Sequence, residues 1–245
     1  MLAGQAIVIT RPASQAPALA RMIEQIGAKA IIFPALEILP VAASAAMLTH
    51  VQAADMAIFI SANAVEYGLR QATLSKHLAL AAIGQATSAA LKEAGYRNII
   101  SPTAGADSEA LLAEPALLDV VDKRIVIFRG VGGRETLRVA LTQRGAQVNY
   151  IECYRRSQPD VSAATVAGLV ARDDIAGVQA FSRETLTNFC AMIGVSGVAK
   201  LSGKPLFVPH LAIAEAARGL GFDESIVTGF GDAGLLAALE QRFGQ

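Results

Sequence analysis

The sequence predicts an α/β protein of two doubly wound parallel-sheet domains, the first of them discontinuous. Three observations predict it. Short apolar runs recur along the 245 residues, with amphipathic segments between them. Several of these runs are continuously apolar instead of alternating, as expected of strands covered by helices on both faces. The runs number about ten, more than an ordinary open sheet holds, and two oddly punctuated segments offer crossings from one sheet to another.

The elements follow in order. Ala6 to Thr10 reads as a buried strand ended by Arg11-Pro12. Gln15 to Ile26 reads as a helix, because Leu19, Met22, Ile23 and Ile26 fall at i, i+3, i+4 and i+7, and Gly27 supplies its stop. Further strands are expected at Ala30–Phe33, Met56–Ile60, Leu80–Ile83, Asn98–Ile100, Arg124–Phe128, Gln147–Tyr150, Gly177–Phe181, Pro205–Val208 and Ser225–Val227. Helices are expected at Ala64–Gln71, Thr87–Ala94, Glu135–Arg144, Glu184–Ile193 and Ala233–Arg242, among others. Pro34 to Pro40 is bracketed by prolines and cannot be helical, and Ile151 to Arg156 alternates toward Pro159. Both read as extended crossings. The domains expected are 1–35 with 158–245, and 41–150, with 36–40 and 151–157 as linkers. A double crossing restrains two domains while permitting hinge motion.

Composition excludes several classes. Lysine plus arginine and aspartate plus glutamate both number 21, so there is no basic excess for a nucleic-acid partner. No apolar stretch approaches the roughly 18 to 20 residues of a membrane span, and the N-terminus lacks the pattern of an export signal. A cytoplasmic location is expected on that ground. Cys153 and Cys190 are too few for a disulfide framework. His50, His77 and His210 share no ligand spacing, so no metal is expected.

In open parallel sheets, ligands bind beyond the carboxyl ends of the strands. The expected strands are followed there by Thr10-Arg11, Ser61-Ala-Asn63, Gly84-Gln-Ala-Thr87, Arg129-Gly130-Val-Gly-Gly-Arg134 and Ser182-Arg183. Hydroxyls, glycines and arginines recur, and each turn opens a helix whose free N–H groups suit anions. The cations are 15 arginines against 6 lysines, and arginine's planar fork suits carboxylate or phosphate. Ser, Thr and Asn before helices also serve simply as caps. Gly130 to Gly133 is neither a dinucleotide fingerprint nor a P-loop, but its amides suit an anion nest. Tyr154 lies in the second crossing, either as a proton donor or as a packing aromatic. Cys153 has no His/Asn pair assignable beside it and reads as buried and inert.

These residues resemble the uroporphyrinogen-III synthase family along the whole chain. The resemblance rests on Ile9-Thr10-Arg11-Pro12, Gly27-Ala28, Phe33-Pro34-Ala-Leu-Glu-Ile38, Phe59-Ile-Ser61-Ala-Asn63-Ala-Val65, Ile83-Gly84-Gln-Ala-Thr87 and Ser108-Glu109-Ala-Leu-Leu112. It continues through Arg129-Gly130-Val-Gly-Gly-Arg134, Arg144-Gly145-Ala146, Tyr154-Arg155-Arg156, Phe181-Ser182, Ile213-Ala214-Glu-Ala-Ala217 and Gly221-Phe222. It implies two α/β domains joined by a two-stranded linker, with the active site in the cleft between them. It also implies cyclisation of the linear tetrapyrrole hydroxymethylbilane to uroporphyrinogen III with inversion of ring D, without metal or organic cofactor.

By the same resemblance Tyr154 becomes the candidate catalytic proton donor, and Ser61, Thr87 and Ser182 fall at family motif positions. Thr10, Arg11, Asn63, Arg129, Gly130, Arg134 and Arg183 complete the expected substrate-binding set, Arg183 on local grounds alone. The expected partner is that small-molecule substrate, with no nucleic acid and no membrane, and the expected assembly is a monomer. One departure stands out. Family members often place Ser or Thr shortly before the Ile213-Ala214 pair; here Val208-Pro-His210-Leu-Ala212 carries none, and His210 is the candidate replacement. The competing readings are a two-domain protein closing on a small anion without chemistry, and a phosphate-handling enzyme using the Gly130–Gly133 turn.

Overall fold

The computed structural model describes residues 4–75, 77–229 and 231–244. In chain order the elements begin β1 (Ala6–Ile9), α1 (Ala16–Gln25), β2 (Lys29–Ile32), β3 (Glu37–Pro40), α2 (Ala45–Gln52), β4 (Met56–Phe59), α3 (Ala62–Leu69), β5 (Ala79–Ala82), α4 (Gln85–Glu93) and β6 (Ile99–Ile100). They continue with α5 (Ser108–Leu112), α6 (Pro115–Leu118), β7 (Arg124–Gly130), α7 (Thr136–Gln143), β8 (Gln147–Ser157), α8 (Ala163–Val170), β9 (Ile175–Gln179), α9 (Arg183–Leu201), β10 (Leu206–Val208), α10 (Leu211–Gly219), β11 (Ser225–Val227) and α11 (Gly231–Phe243). The chain divides into two compact units, Met1–Glu37 with Ser157–Gln245, and Ile38–Arg156.

The discontinuous unit holds a five-stranded sheet in the order β11-β10-β9-β1-β2. All four of its pairings are parallel. Successive side chains of a strand point to opposite faces, and here both faces are covered. Val8 and Val178 pack into a core with Leu169 of α8, Leu186 and Phe189 of α9 and Ala217 of α10. Ile7 and Ile9 point the other way, against Leu19 and Ile23 of α1 and Leu235 and Leu239 of α11. This two-sided cover is the reason β1 reads AIVI with no polar residue. Helix α9 runs beyond the expected stop at Ile193, but Gly194 breaks it with φ 69° and ψ 178°, so the residues after it form a second segment at an angle.

The continuous unit holds a six-stranded sheet in the order β3-β8-β7-β4-β5-β6. Strands β8, β7, β4, β5 and β6 pair in parallel. Ala57, Phe59, Val126 and Phe128 face Val51 of α2, Val65 of α3 and Leu91 of α4. Met56, Ile58, Ile125 and Ile127 face Leu111 of α5, Leu117 of α6 and Leu137 and Leu141 of α7. The segment expected as a separate crossing after Tyr150 is instead the continuation of β8, an 11-residue strand. It keeps its hydrogen bonds to β7 on one side and lies beside β3 on the other, where Val41 N donates to the Cys153 carbonyl at 3.0 Å.

Two outcomes follow from this packing. In α3, a Cβ on Gly68 would stand 2.6 Å from Cδ1 of Phe128. That ring is fully buried and stacks on Phe59 at 4.5 Å between centroids. Gly68→Ala gains about 1 kcal/mol of helix propensity against an overpacking cost of about 1–3 kcal/mol. With no room for the ring to retreat the cost wins, and the urea midpoint falls; a raised midpoint would show that α3 lifts off the sheet freely. The second concerns Cys153 and Cys190, which are free and buried. Burial pushes the Cys153 thiol up to about 11 and raises Cys190 as well. The thiolate is the nucleophile, so iodoacetamide at pH 8 labels neither in the native chain and both in denaturant.

Candidate functional site

Both sheets have a topological switch point, where successive connections leave toward opposite edges and a crevice opens at the strand ends. In the discontinuous unit it lies between β1 and β9, since the chain runs from β1 to β2 on one side and from β9 to β10 and β11 on the other. In the continuous unit it lies between β4 and β7, with β5 and β6 on one side and β8 on the other.

At the β1/β9 end stand Thr10, Arg11, Ser182 and Arg183. Thr10 is fully buried, and its hydroxyl donates to the Gln179 carbonyl at 2.7 Å, which ties the two strand ends together. Arg11 is 12% exposed. Its guanidinium carbon lies 4.1 Å over the Phe181 ring, and its fork meets the Asp232 carboxylate at 2.8 and 3.4 Å. Ser182 caps α9, accepting from Thr185 N at 3.1 Å, and shares a hydrogen with the Thr185 hydroxyl at 2.8 Å. Arg183 is exposed on the first turn of the same helix.

At the β4/β7 end stand Ser61, Asn63, Arg129, Gly130, Arg134 and Tyr154. A bulge brings Tyr154 there. Arg129 pairs with Glu152 but Gly130 pairs with Tyr154, so β8 carries one extra residue, Cys153. Strict alternation would send Tyr154 to the face of Val148 and Tyr150, against α7. The extra residue instead turns it onto the α3 face, where Ile151, Cys153 and Tyr154 share one core. The phenol, 2% exposed, meets the Ser61 hydroxyl at 3.0 Å. Ser61 also caps α3, accepting from Ala64 N at 3.0 Å. Gly130 lies under the ring, where a Cβ would stand 2.7 Å from Cε2 of Tyr154. Asn63, half-buried in the first turn of α3, makes no hydrogen bond among the described residues.

Arg129 is the largest fully buried side chain, 2% exposed. Its guanidinium lies 4.3 Å from the centre of the Tyr150 ring. Nε donates to the Gly130 carbonyl at 3.1 Å, and Nη1 to the Glu135 carboxylate at 3.1 Å and to the Arg134 carbonyl at 3.5 Å. Glu135, 45% exposed, is shared with Arg138 at 2.6 Å. Desolvation opposes ionisation of Glu135, but Arg138 and Arg129 outweigh it and hold the carboxyl below its ordinary value. Burial raises the Tyr150 phenol, with Arg129 pulling the other way. Arg129, Tyr150 and the exposed Arg134 line a pocket of about 260 Å³, together with Ser108 and the apolar Ile60 and Ile127.

Two expectations need correction. The Gly130–Gly133 turn is not an open anion nest, because Gly132 N donates to the chain's own Glu152 carboxylate at 3.2 Å. Thr87 does not lie in the turn after β5 either. Helix α4 begins two residues earlier, at Gln85, and buries Thr87 in its first turn. His210 takes the N-cap position of α10 without a side-chain cap bond. Sequence reasoning missed the acids Asp232, Glu135 and Glu152. Only Glu135, beside an arginine at a helix start, carried a local signal; Asp232 stands 221 residues from Arg11. Among the described residues no group of three or more His, Cys, Asp or Glu side chains gathers to hold a metal ion.

The HEM4 family model, described as uroporphyrinogen-III synthase HemD, matches residues 17–235. A uroporphyrinogen-III synthase of Salmonella typhimurium is 36% identical over 160 residues, covering 61% of this chain and 64% of that protein. That of Escherichia coli K12 is 32% identical over 161 residues with the same coverage, so the matched region spans less than two thirds of either relative. A third, from Synechococcus elongatus, is 30% identical over 217 residues, covering 82% of this chain and 81% of its own. Among solved structures, the uroporphyrinogen-III synthetase of Helicobacter pylori 26695 superposes with a TM-score of 0.64 at 15% identity, over 97% of this chain and all of that one. A mutant uroporphyrinogen III synthase of Thermus thermophilus gives 0.58 at 17%, over 97% and 98%. At such identities the likeness speaks for the fold alone. With a family model spanning nearly all of its length, the chain belongs to the uroporphyrinogen-III synthase family.

Proposed function

We propose that this chain cyclises hydroxymethylbilane to uroporphyrinogen III, inverting ring D through a spiro intermediate. One observation carries the reading beyond family membership: the polar residues at both switch points are those an octa-acid with a hydroxymethyl leaving group requires. Arg11, Ser182 and Arg183 offer donors in one unit; Ser61, Asn63, Arg129, Gly130 and Arg134 do so in the other. The chemistry asks little more of the protein than positioning and proton transfer, since the pyrroles supply the electrons.

Ring A expels its hydroxyl as water, driven by the pyrrole nitrogen lone pair. The Tyr154 hydroxyl supplies the proton, and the Ser61 hydroxyl partners the resulting phenolate. The exocyclic methylene so formed is attacked by the substituted α-carbon of ring D, giving the spiro intermediate. That intermediate fragments and recloses at the other α-carbon. The hydrogen lost there as a proton restores Tyr154. The net change is loss of one water. The reading includes a monomer that works in the cytoplasm without metal, organic cofactor, nucleic acid or membrane. The balanced charge offers no basic excess for a nucleic acid, and among the described residues no helix is long and apolar enough to cross a bilayer.

Two measurements test it. Purified protein given fresh hydroxymethylbilane should yield the type III porphyrin after oxidation; type I alone, the spontaneous product, would end the reading. Tyr154→Phe should lower turnover at least about tenfold, as loss of a general acid does, while costing about 1 kcal/mol of stability or less from the lost Ser61 bond. Unchanged turnover removes Tyr154 from the mechanism.

A further inference from the structure

Arg129 is an odd residue to find at the end of β7. It is a cation, 2% exposed, among the side chains of a sheet core. A buried guanidinium needs a counter-charge and acceptors. The acceptors are the carbonyls of Gly130 and Arg134; the counter-charge is Glu135. The members of that pair differ sharply in environment, since Glu135 is 45% exposed. The solvent side of the pair is therefore its carboxylate. Arg129 itself cannot swing away, because Tyr150 lies under its face and its Nε is bonded to the backbone. Glu135 can. Its other oxygen is on Arg138 at 2.6 Å, one turn along α7.

The guanidinium is not saturated either. Nη2 makes no hydrogen bond among the described residues. Gly133 stands beside it: a Cβ there would lie 2.7 Å from Nη2. Gly133 has φ 100°, so both its backbone and the space it leaves favour the absence of a side chain. The pocket that Arg129 lines is apolar along Ile60 and Ile127 and polar at Arg129, Arg134, Ser108 and Asp107, whose carboxylate is engaged as the cap of α5, accepting from Ala110 N. A short aliphatic arm ending in a carboxylate has that same division.

We infer that Glu135 is a placeholder carboxylate: it occupies Arg129 in the unliganded chain, and a carboxylate of the substrate displaces it, leaving Glu135 on Arg138. This rests on the reaction proposed above. Glu135 is thus a positioning residue that touches no reacting atom. It keeps a buried cation neutralised until the ligand arrives, and it raises the concentration of substrate needed to fill the site. Removing its charge leaves Arg129 in place and lifts the competition.

Glu135→Gln should lower KM about threefold to tenfold, the scale of one charge-assisted hydrogen bond in partial solvent, with kcat within about twofold. The effect must run through Arg129. In an Arg129→Met background the same substitution should leave KM unchanged, whereas a simple field effect on a polyanion would persist there. If Arg129→Met does not fold, Arg129→Lys serves: one point charge in place of a fork should at least halve the gain. A KM unchanged or raised in Glu135→Gln overturns the inference, as does an equal drop in both backgrounds. Binding of the octacarboxylic uroporphyrin III, followed by its fluorescence, reads the same ratio without turnover. A ratio near one there, with type III product still formed, refutes the placeholder alone. Type I product only, with the ratio preserved, refutes the reaction alone.

Discussion

Covering both faces of a parallel sheet with helices is the constraint from which the rest of this molecule follows. Strands buried on both sides must be apolar throughout, which leaves no polar atom along their length except the backbone. Chemistry is thereby confined to the strand ends. Winding in two directions from one strand pair then leaves one gap in the row of connections at each sheet's carboxyl edge. Thr10 and Ser182 border that gap in one unit, and Ser61 and Arg129 border it in the other.

The electrostatics of these ends follow the same logic. A protein whose partner is a polyacid is expected to gather positive charge, yet 21 cations are met by 21 anions. The balance is also local. Arg11 rests on Asp232, Arg129 on Glu135, and the Gly132 amide on Glu152. These three groups each already have an anion. The consequence is a weak summed field, so long-range steering contributes little, and recognition falls to short-range geometry. An arginine fork held over an aromatic ring, as Arg11 is over Phe181 and Arg129 over Tyr150, is preorganised for that task.

Much of the fold was legible because periodicity reports burial directly. Ile7, Val8 and Ile9 in a row announce a two-sided strand, and Leu19 with Ile23 announces a helix with one buried stripe. The residues flanking the switch points were legible because strand ends are where such sheets place function. What escaped was set by single-residue geometry. The bulge at Cys153 reverses the face on which Tyr154 emerges, and nothing in ECYRR signals an inserted residue. The start of α4 at Gln85 was hidden because Gly84 takes the N-cap position without any side chain to mark it. Asp232 was invisible because pairing across 221 residues leaves no local trace.

The bond from Thr10 to Gln179 joins residues 169 apart, at the centre of a sheet whose β1 and β9 sit side by side. All strands of the continuous unit's sheet lie between Glu37 and Ser157. A ribosome therefore releases β1, α1 and β2 before the continuous unit, with no neighbour available on the β9 side of β1. Strand β1 is the purely apolar AIVI, and its sheet is completed only when β9, β10 and β11 emerge. Loop closure over that span costs only logarithmically in entropy, so the native state bears it easily. The burden falls on time during synthesis: while the β9 edge of β1 stays open, an apolar strand edge is exposed to aggregation.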